Sequence, residues 1–148
     1  MKTRINLQHV NPQALEGIHM LEAYLEQSPL SKTHFFLIFT RASQINGCAY
    51  CIHKHTQDAL KNGESQERLF LLDAWRETNH FTREERAILA ITEEVTLIHQ
   101  QGLSDATYQQ ALEVLSEDYI VQVILAVVTI NAWNRVGISA RLIPARSR

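Results

Sequence analysis

Turn-forming residues are scarce in this chain. Its 148 residues include five glycines and three prolines, too few for the many tight turns of an all-β architecture. Charge of one sign is lacking too: 14 Lys and Arg stand against 16 Asp and Glu, a formal net charge of −2. Without a basic excess, neither nucleic acid nor an anionic membrane has a patch to act on, so neither is expected as a partner. The basic end, with Arg146 and Arg148, reads as solvated charge. There is no internal repeat, no low-complexity run and no linker. The start, Met1-Lys2-Thr3-Arg4, leads into a mixed polar segment and not into an export signal. The apolar run from Tyr119 to Ile130 (YIVQVILAVVTI) is shorter than the roughly 20 residues that cross a bilayer. Only two cysteines are present, which is no basis for a disulfide framework. In a chain read as cytoplasmic, a close cysteine pair points to redox chemistry or to metal.

What is there is helical. With 45% hydrophobic residues the chain can bury one core, and it reads as a single all-α domain over residues 1–148. Asn11-Pro12 resembles an N-cap with proline at the first helical position, followed by Ala14, Ile18, Leu21 and Leu25 at helical spacing as far as Gln27. Ser28-Pro29 repeats that start signal. The segment from there to Ile45 carries Phe35, Phe36, Leu37, Ile38 and Phe39, which alone would suit a strand; Arg41 to Gln44 continue it as a helix. Asn46-Gly47 breaks it, and the next helix closes at Lys61-Asn62-Gly63. A short helix follows with Leu69, Phe70 and Leu72 turned inward and Trp75 near its end. Thr82 and Glu85 form a capping box for a helix closed by Gly102. Ser104 caps another, and Ser116 starts the last. That last helix is apolar on nearly all sides, which predicts a central or interface position.

The residues with chemistry sit together in Cys48-Ala49-Tyr50-Cys51-Ile52-His53-Lys54-His55. On a helix, Cys48 and Cys51 share one face at i, i+3, and His55 continues it at i+4 from Cys51. His53 points elsewhere. The break at Asn46-Gly47 places Cys48 in the first helical turn, where unpaired N–H groups and the positive end of the helix dipole favour a thiolate over the ordinary thiol of pKa roughly 8.5. An imidazole one turn along can take the proton. Position favours Cys48 as the attacking thiol and proximity to His55 favours Cys51; we take Cys51 as the thiol that His55 activates. Zinc is the rival reading, through Cys48, Cys51 and His53 or His55. It needs a fourth ligand, for which only the lone His80 and His99 offer themselves, and neither metal nor cofactor is expected. The plainest reading is two cysteines that pack in the core.

The stretch Arg41-Ala42-Ser43-Gln44-Ile45-Asn46-Gly47-Cys48-Ala49-Tyr50-Cys51, with His55 beyond it, resembles the signature of the alkyl hydroperoxidase D-like (carboxymuconolactone decarboxylase-like) family. Leu72 to Arg76, Phe81-Thr82 with Glu85-Arg86-Ala87, and Thr92-Glu93 with Val95-Thr96 are similar to that family as well. The resemblance covers residues 15 to 135 in helix order and residues 41 to 96 in specific side chains. It implies a compact helical fold with the cysteine motif at the start of a central helix, at a pocket buried between subunits of a homo-oligomer. It also implies thiol-dependent reduction of hydroperoxides, with Cys48 and Cys51 as the redox pair, His55 as the histidine, and a protein dithiol or lipoyl-type group as electron donor. In that family a glutamate twelve residues before the first cysteine commonly completes a proton relay; here that position is Phe36, which neither accepts nor donates a proton. His34 lies close by but faces sideways. Glu93 is the candidate substitute, and Tyr50, where some members carry histidine, is a candidate donor to a bound peroxide.

Three functions fit these residues. The first is a peroxidase or disulfide reductase cycling Cys48 and Cys51, made slower or differently specialised by the missing glutamate. The second is a redox sensor or binding module whose cysteine pair switches an oligomer interface. The third is the decarboxylase chemistry for which the wider family is named, which does not require the thiols.

Overall fold

Helix after helix opens on a side chain that can accept a hydrogen bond. Asn6, Ser31, Cys48, Ser65, Thr82, Ser104 and Ser116 each accept from the amide three residues on. That pairs one of the N–H groups a first turn otherwise leaves orphaned. The computed structural model describes residues 2–145. These caps lay out α1 (Leu7–Val10), α2 (Glu16–Gln27), α3 (Lys32–Asn46), α4 (Ala49–Lys61), α5 (Gln66–Leu71), α6 (Arg83–Thr96), α7 (Asp105–Leu112) and α8 (Glu117–Ala140). Two 3₁₀ segments, Pro12–Leu15 and Leu72–Glu77, join them, and no strand occurs among the described residues. The basic tail residues Arg146 and Arg148 lie outside that range.

The aromatic segment that could have been a strand is the central helix, α3. It packs against α4, α6 and α8. Ile38, Phe39 and Ala42 face Ile88 and Ile91 of α6 and Val123, Val127 and Ile130 of α8, all fully buried. Leu37 faces the other way, into a second cluster with Leu72, Trp75, Phe81 and Leu89. Each large aliphatic or aromatic side chain so buried contributes about 1.5–3 kcal/mol, which is why this run is helical in spite of its β-branched and aromatic content.

Several local expectations are corrected. Asn11 makes no capping bond; the chain turns through a 3₁₀ segment at Pro12 before α2 begins at Glu16. Ser28 is the C-cap of α2, and its hydroxyl donates to the Leu25 carbonyl and accepts from the Leu30 amide. The start of α3 therefore falls to Ser31. Phe70 is 72% exposed, because Leu69 and Leu72 already fill the inward side of so short a helix. The capping box of Thr82 and Glu85 is present, yet α6 ends at Thr96 and only turns reach Gly102. Finally, the apolar last segment is part of a 24-residue helix. By length and composition that helix is long enough to span a bilayer, contrary to the expectation from the apolar run alone. Its packing is that of a core helix: α2, α3, α4 and α6 cover it, and Gln122, Thr129 and Asn134 are buried in it.

Candidate functional site

A glycine turn aims the cysteine helix. Gly47 caps α3 with φ of 68°, a conformation that costs glycine little and other residues more. The turn leaves Cys48 extended, as the N-cap of α4. A polar network fixes the turn from the far side: Asn46 donates to the side-chain oxygens of Asn131 (3.0 Å) and Asn134 (2.8 Å) on α8. The amide of the fully buried Asn134 in turn donates to Ser43 Oγ at 2.9 Å. Cys48 and Cys51 are paired as a disulfide with Cα atoms 5.3 Å apart, and the Cys51 amide donates to Cys48 Sγ at 3.4 Å.

The two sulfurs are not equivalent. Cys51 lines a cavity of about 420 Å³ together with Tyr50, Lys54 and His55 of α4. The other walls come from Asn6 and Leu7 of the N-terminal segment, His19 and Glu22 of α2, Trp133 and Val136 of α8, and Leu142. Cys48 is not among these residues, because α8 lies over it; both cysteines are buried, Cys48 at 1% and Cys51 at 4% exposed. The structure thus brings together Cys51, His55 and Tyr50, with Cys48 beneath.

His55 is 5% exposed and its Nδ1 has no hydrogen-bond partner. Its ring meets Phe39 edge-to-face at 4.9 Å, Phe39 stacks on Phe35 at 3.9 Å, and Phe35 meets Phe36 at 5.5 Å. An aromatic stack that begins at Phe36 thus leads to the imidazole. Burial first, and the Lys54 charge second, push the His55 pKa down to about 4 against the pull of Asp58. At neutral pH the ring is uncharged and offers a lone pair, not a positive charge. This has a consequence for stability. The unfolded chain takes up a proton at His55 near pH 6.5, whereas the folded one resists until about pH 4. Stability is therefore expected to fall by about 3 kcal/mol as pH drops through that window and then to level off. Urea unfolding of wild type and His55→Gln across pH 4 to 7.5 checks it: the variant should lose that part of the slope.

Glu93 is placed elsewhere. Its carboxylate accepts from Arg41 (2.8 Å) and from the Trp75 indole (2.9 Å) and is paired with Arg76, and it does not line the cavity. Burial alone would raise its pKa, but the bonds from Arg76, Trp75 and Arg41 hold it below the usual carboxylate range. The acid is not a solvated surface group, and it makes no hydrogen bond to His55. His34 is paired with the Tyr119 hydroxyl at 2.6 Å. The zinc set does not converge: among the described residues no three His, Cys, Asp or Glu side chains come together as a metal site. His19, Trp133 and Gly137 escaped the reading of the sequence. The one local signal was Gly137, a glycine inside an otherwise apolar helix, which commonly marks close packing.

Comparison with known proteins adds context to this geometry. A model of the carboxymuconolactone decarboxylase family matches residues 12–94. The uncharacterized protein YdfG of Bacillus subtilis (strain 168) is 37% identical over 139 residues, which is 94% of this chain and 95% of that one. A crystal structure of a protein of unknown function from Agrobacterium tumefaciens, described as a candidate antioxidant defence protein AhpD, superposes with a TM-score of 0.95 at 34% identity. It covers 99% of this chain and 100% of that one. An uncharacterized peroxidase-related protein from Ralstonia eutropha JMP134, an alkylhydroperoxidase AhpD core, shares the fold at 15% identity and a TM-score of 0.82 over 94% of this chain and 74% of its own.

Proposed function

The chain belongs to the carboxymuconolactone decarboxylase family, and we propose that it is a thiol-dependent peroxidase that reduces organic hydroperoxides through Cys51 and Cys48. The observation that carries this reading is the asymmetry of the pair: one sulfur at a cavity beside an uncharged imidazole, the other buried within bonding reach. In the reduced protein the Cys51 sulfur attacks the outer oxygen of the peroxide as His55 takes its proton, since a ring with a pKa of about 4 does not keep that proton ahead of the attack. The O–O bond breaks, the alkoxide leaves with the proton from His55 as an alcohol, and Cys51 becomes a sulfenic acid. Cys48 attacks that sulfur, water leaves, and the disulfide closes. Two thiols and one hydroperoxide thus give one disulfide, one alcohol and one water.

Reduction runs in the opposite sense. A donor dithiol, on a protein or a lipoyl-type group, attacks Cys51 Sγ from the cavity that Cys51 lines, and Cys48 leaves as thiolate. The Cys51 amide at 3.4 Å and the first turn of α4 stabilise that leaving group, which speeds exchange. Tyr50, 36% exposed at the rim, can donate to a bound peroxide oxygen. The reading includes a homo-oligomer in a reducing, cytoplasmic setting, as an antioxidant enzyme.

The test is direct. The reduced protein, given one equivalent of an alkyl hydroperoxide, should lose both thiols and about 2 Da in the peptide holding residues 48 and 51. Dihydrolipoamide should reverse the change and sustain turnover. Two thiols that survive the peroxide unaltered would exclude the peroxidase; oxidation that changes the oligomeric state without turnover would favour a redox switch.

A further inference from the structure

Helix α8 has one glycine in its interior, and it lies against the sulfurs. A Cβ built at Gly137 would stand 3.3 Å from Cys48 Sγ and 3.6 Å from Cys51 Sγ, with Leu142 Cδ1 next at 3.9 Å. The first distance is tight enough that the sulfur would have to give by a few tenths of an ångström, and the second is an ordinary van der Waals contact. Gly137 is buried, so α8 cannot lift away without disturbing the packing of Ala126, Val127 and Ile130. By contrast, a Cβ at Gly17 of α2 would meet nothing within 4 Å.

Both sulfurs meet the same point of α8 in the joined state. While the bond is closed, Cys51 holds Cys48 Sγ in place; once it is cut, each thiol is free to turn about its own Cα–Cβ bond. With Cys51 free to move into the cavity, Cys48 Sγ can give the few tenths of an ångström that a Cβ at residue 137 would need. The crowding at residue 137 is therefore tightest with the disulfide closed, when Cys48 Sγ cannot give, and eases when the bond to Cys51 is cut. We infer that Gly137 is a positioning residue of the redox pair: its missing side chain is the seat that lets the disulfide close, and it thereby sets the reduction potential. The inference rests on the proposed redox cycle but not on hydroperoxide as the oxidant.

The exchange to measure is disulfide plus two glutathione thiols giving the protein dithiol and one glutathione disulfide, a two-electron, two-proton step. In Gly137→Ala the equilibrium should shift toward the dithiol by about tenfold, a potential about 30 mV less negative, while Gly17→Ala should leave it unchanged. A thermodynamic cycle keeps the answer clear of general misfolding. Alanine is the better helix former, so Gly137→Ala should raise the melting temperature once Cys48 and Cys51 are both alanine, and lower it in the oxidised wild-type background. A wild-type pair that does not equilibrate with glutathione at all would overturn the redox cycle itself. A wild-type pair that cycles, with a potential that Gly137→Ala leaves in place, would overturn the role of Gly137 alone. Equal loss of melting temperature with and without the sulfurs would also overturn it, by assigning the glycine to helix packing.

Discussion

Cys51→Ser is expected to lower hydroperoxide reduction by roughly 10³-fold or more, while Cys48→Ser performs one turnover and stalls. The expectation follows from the cavity. Of the two cysteines, Cys51 lines the cavity and Cys48 does not, and His55, on the same wall, is uncharged and lacks a partner at Nδ1. A serine hydroxyl there stays protonated at neutral pH and is a poor nucleophile toward O–O bonds. Removing Cys48 leaves the first step intact but nothing to condense with the sulfenic acid, so one equivalent of alcohol should form per subunit and then no more. Both variants should fold. Serine is a preferred N-cap, so at position 48 it can make the bond that Cys48 Sγ now makes to the Cys51 amide. At position 51 the change is a near-isosteric one at the cavity edge. Rapid mixing with an alkyl hydroperoxide, together with trapping of the sulfenic acid, separates the two. The opposite pattern, a burst from Cys51→Ser and none from Cys48→Ser, would show that the cap and not the cavity selects the nucleophile.

Much of the frame is written locally. The capping residues at Thr82, Ser104 and Ser116, the Asn46-Gly47 break and the Lys61-Asn62-Gly63 stop are each decided within four residues by which backbone groups need partners. The same locality explains where reading fails. Ser28 and Ser31 flank Pro29-Leu30 and offer the same hydroxyl; Ser28 bonds backward to Leu25, and no rule of spacing ranks them. The cavity is the extreme case. Asn6, His19, Cys51, Trp133 and Leu142 meet only because α2 and α8 pack across the start of α4, and no interval in the chain records that. The i, i+3, i+7 face of Cys48, Cys51 and His55 was legible, since one helix supplies all three. Which sulfur faces open space was not, since α8 decides it.

Glu93 marks the same boundary between local pattern and tertiary placement, and it yields the second large effect. Glu93→Ala is expected to cost about 3 kcal/mol, and roughly 10 °C in melting temperature for a chain of this size. The reason is what the carboxylate leaves behind. Arg41, with a side chain only 16% exposed, would keep a buried guanidinium without its counter-charge, and the Trp75 indole would lose its acceptor. Arg76 is 54% exposed and recovers water, so its share is small. Glu93→Gln should cost less, because the amide oxygen still accepts from Trp75. A relay acid would behave otherwise. Loss of the charge would lower the rate and move its pH dependence toward that of an unassisted thiol, with stability little changed. We expect the reverse for Glu93: thermal melts shifted in the order alanine beyond glutamine, and a pH–rate profile of the surviving protein that overlays wild type. Arg41→Met combined with Glu93→Leu should recover most of the stability, because an apolar pair of similar volume needs no compensation. Recovery of stability with retained peroxidase activity would place Glu93 in the scaffold and leave His55, walled by Phe39 and with no partner at Nδ1, as the base for Cys51.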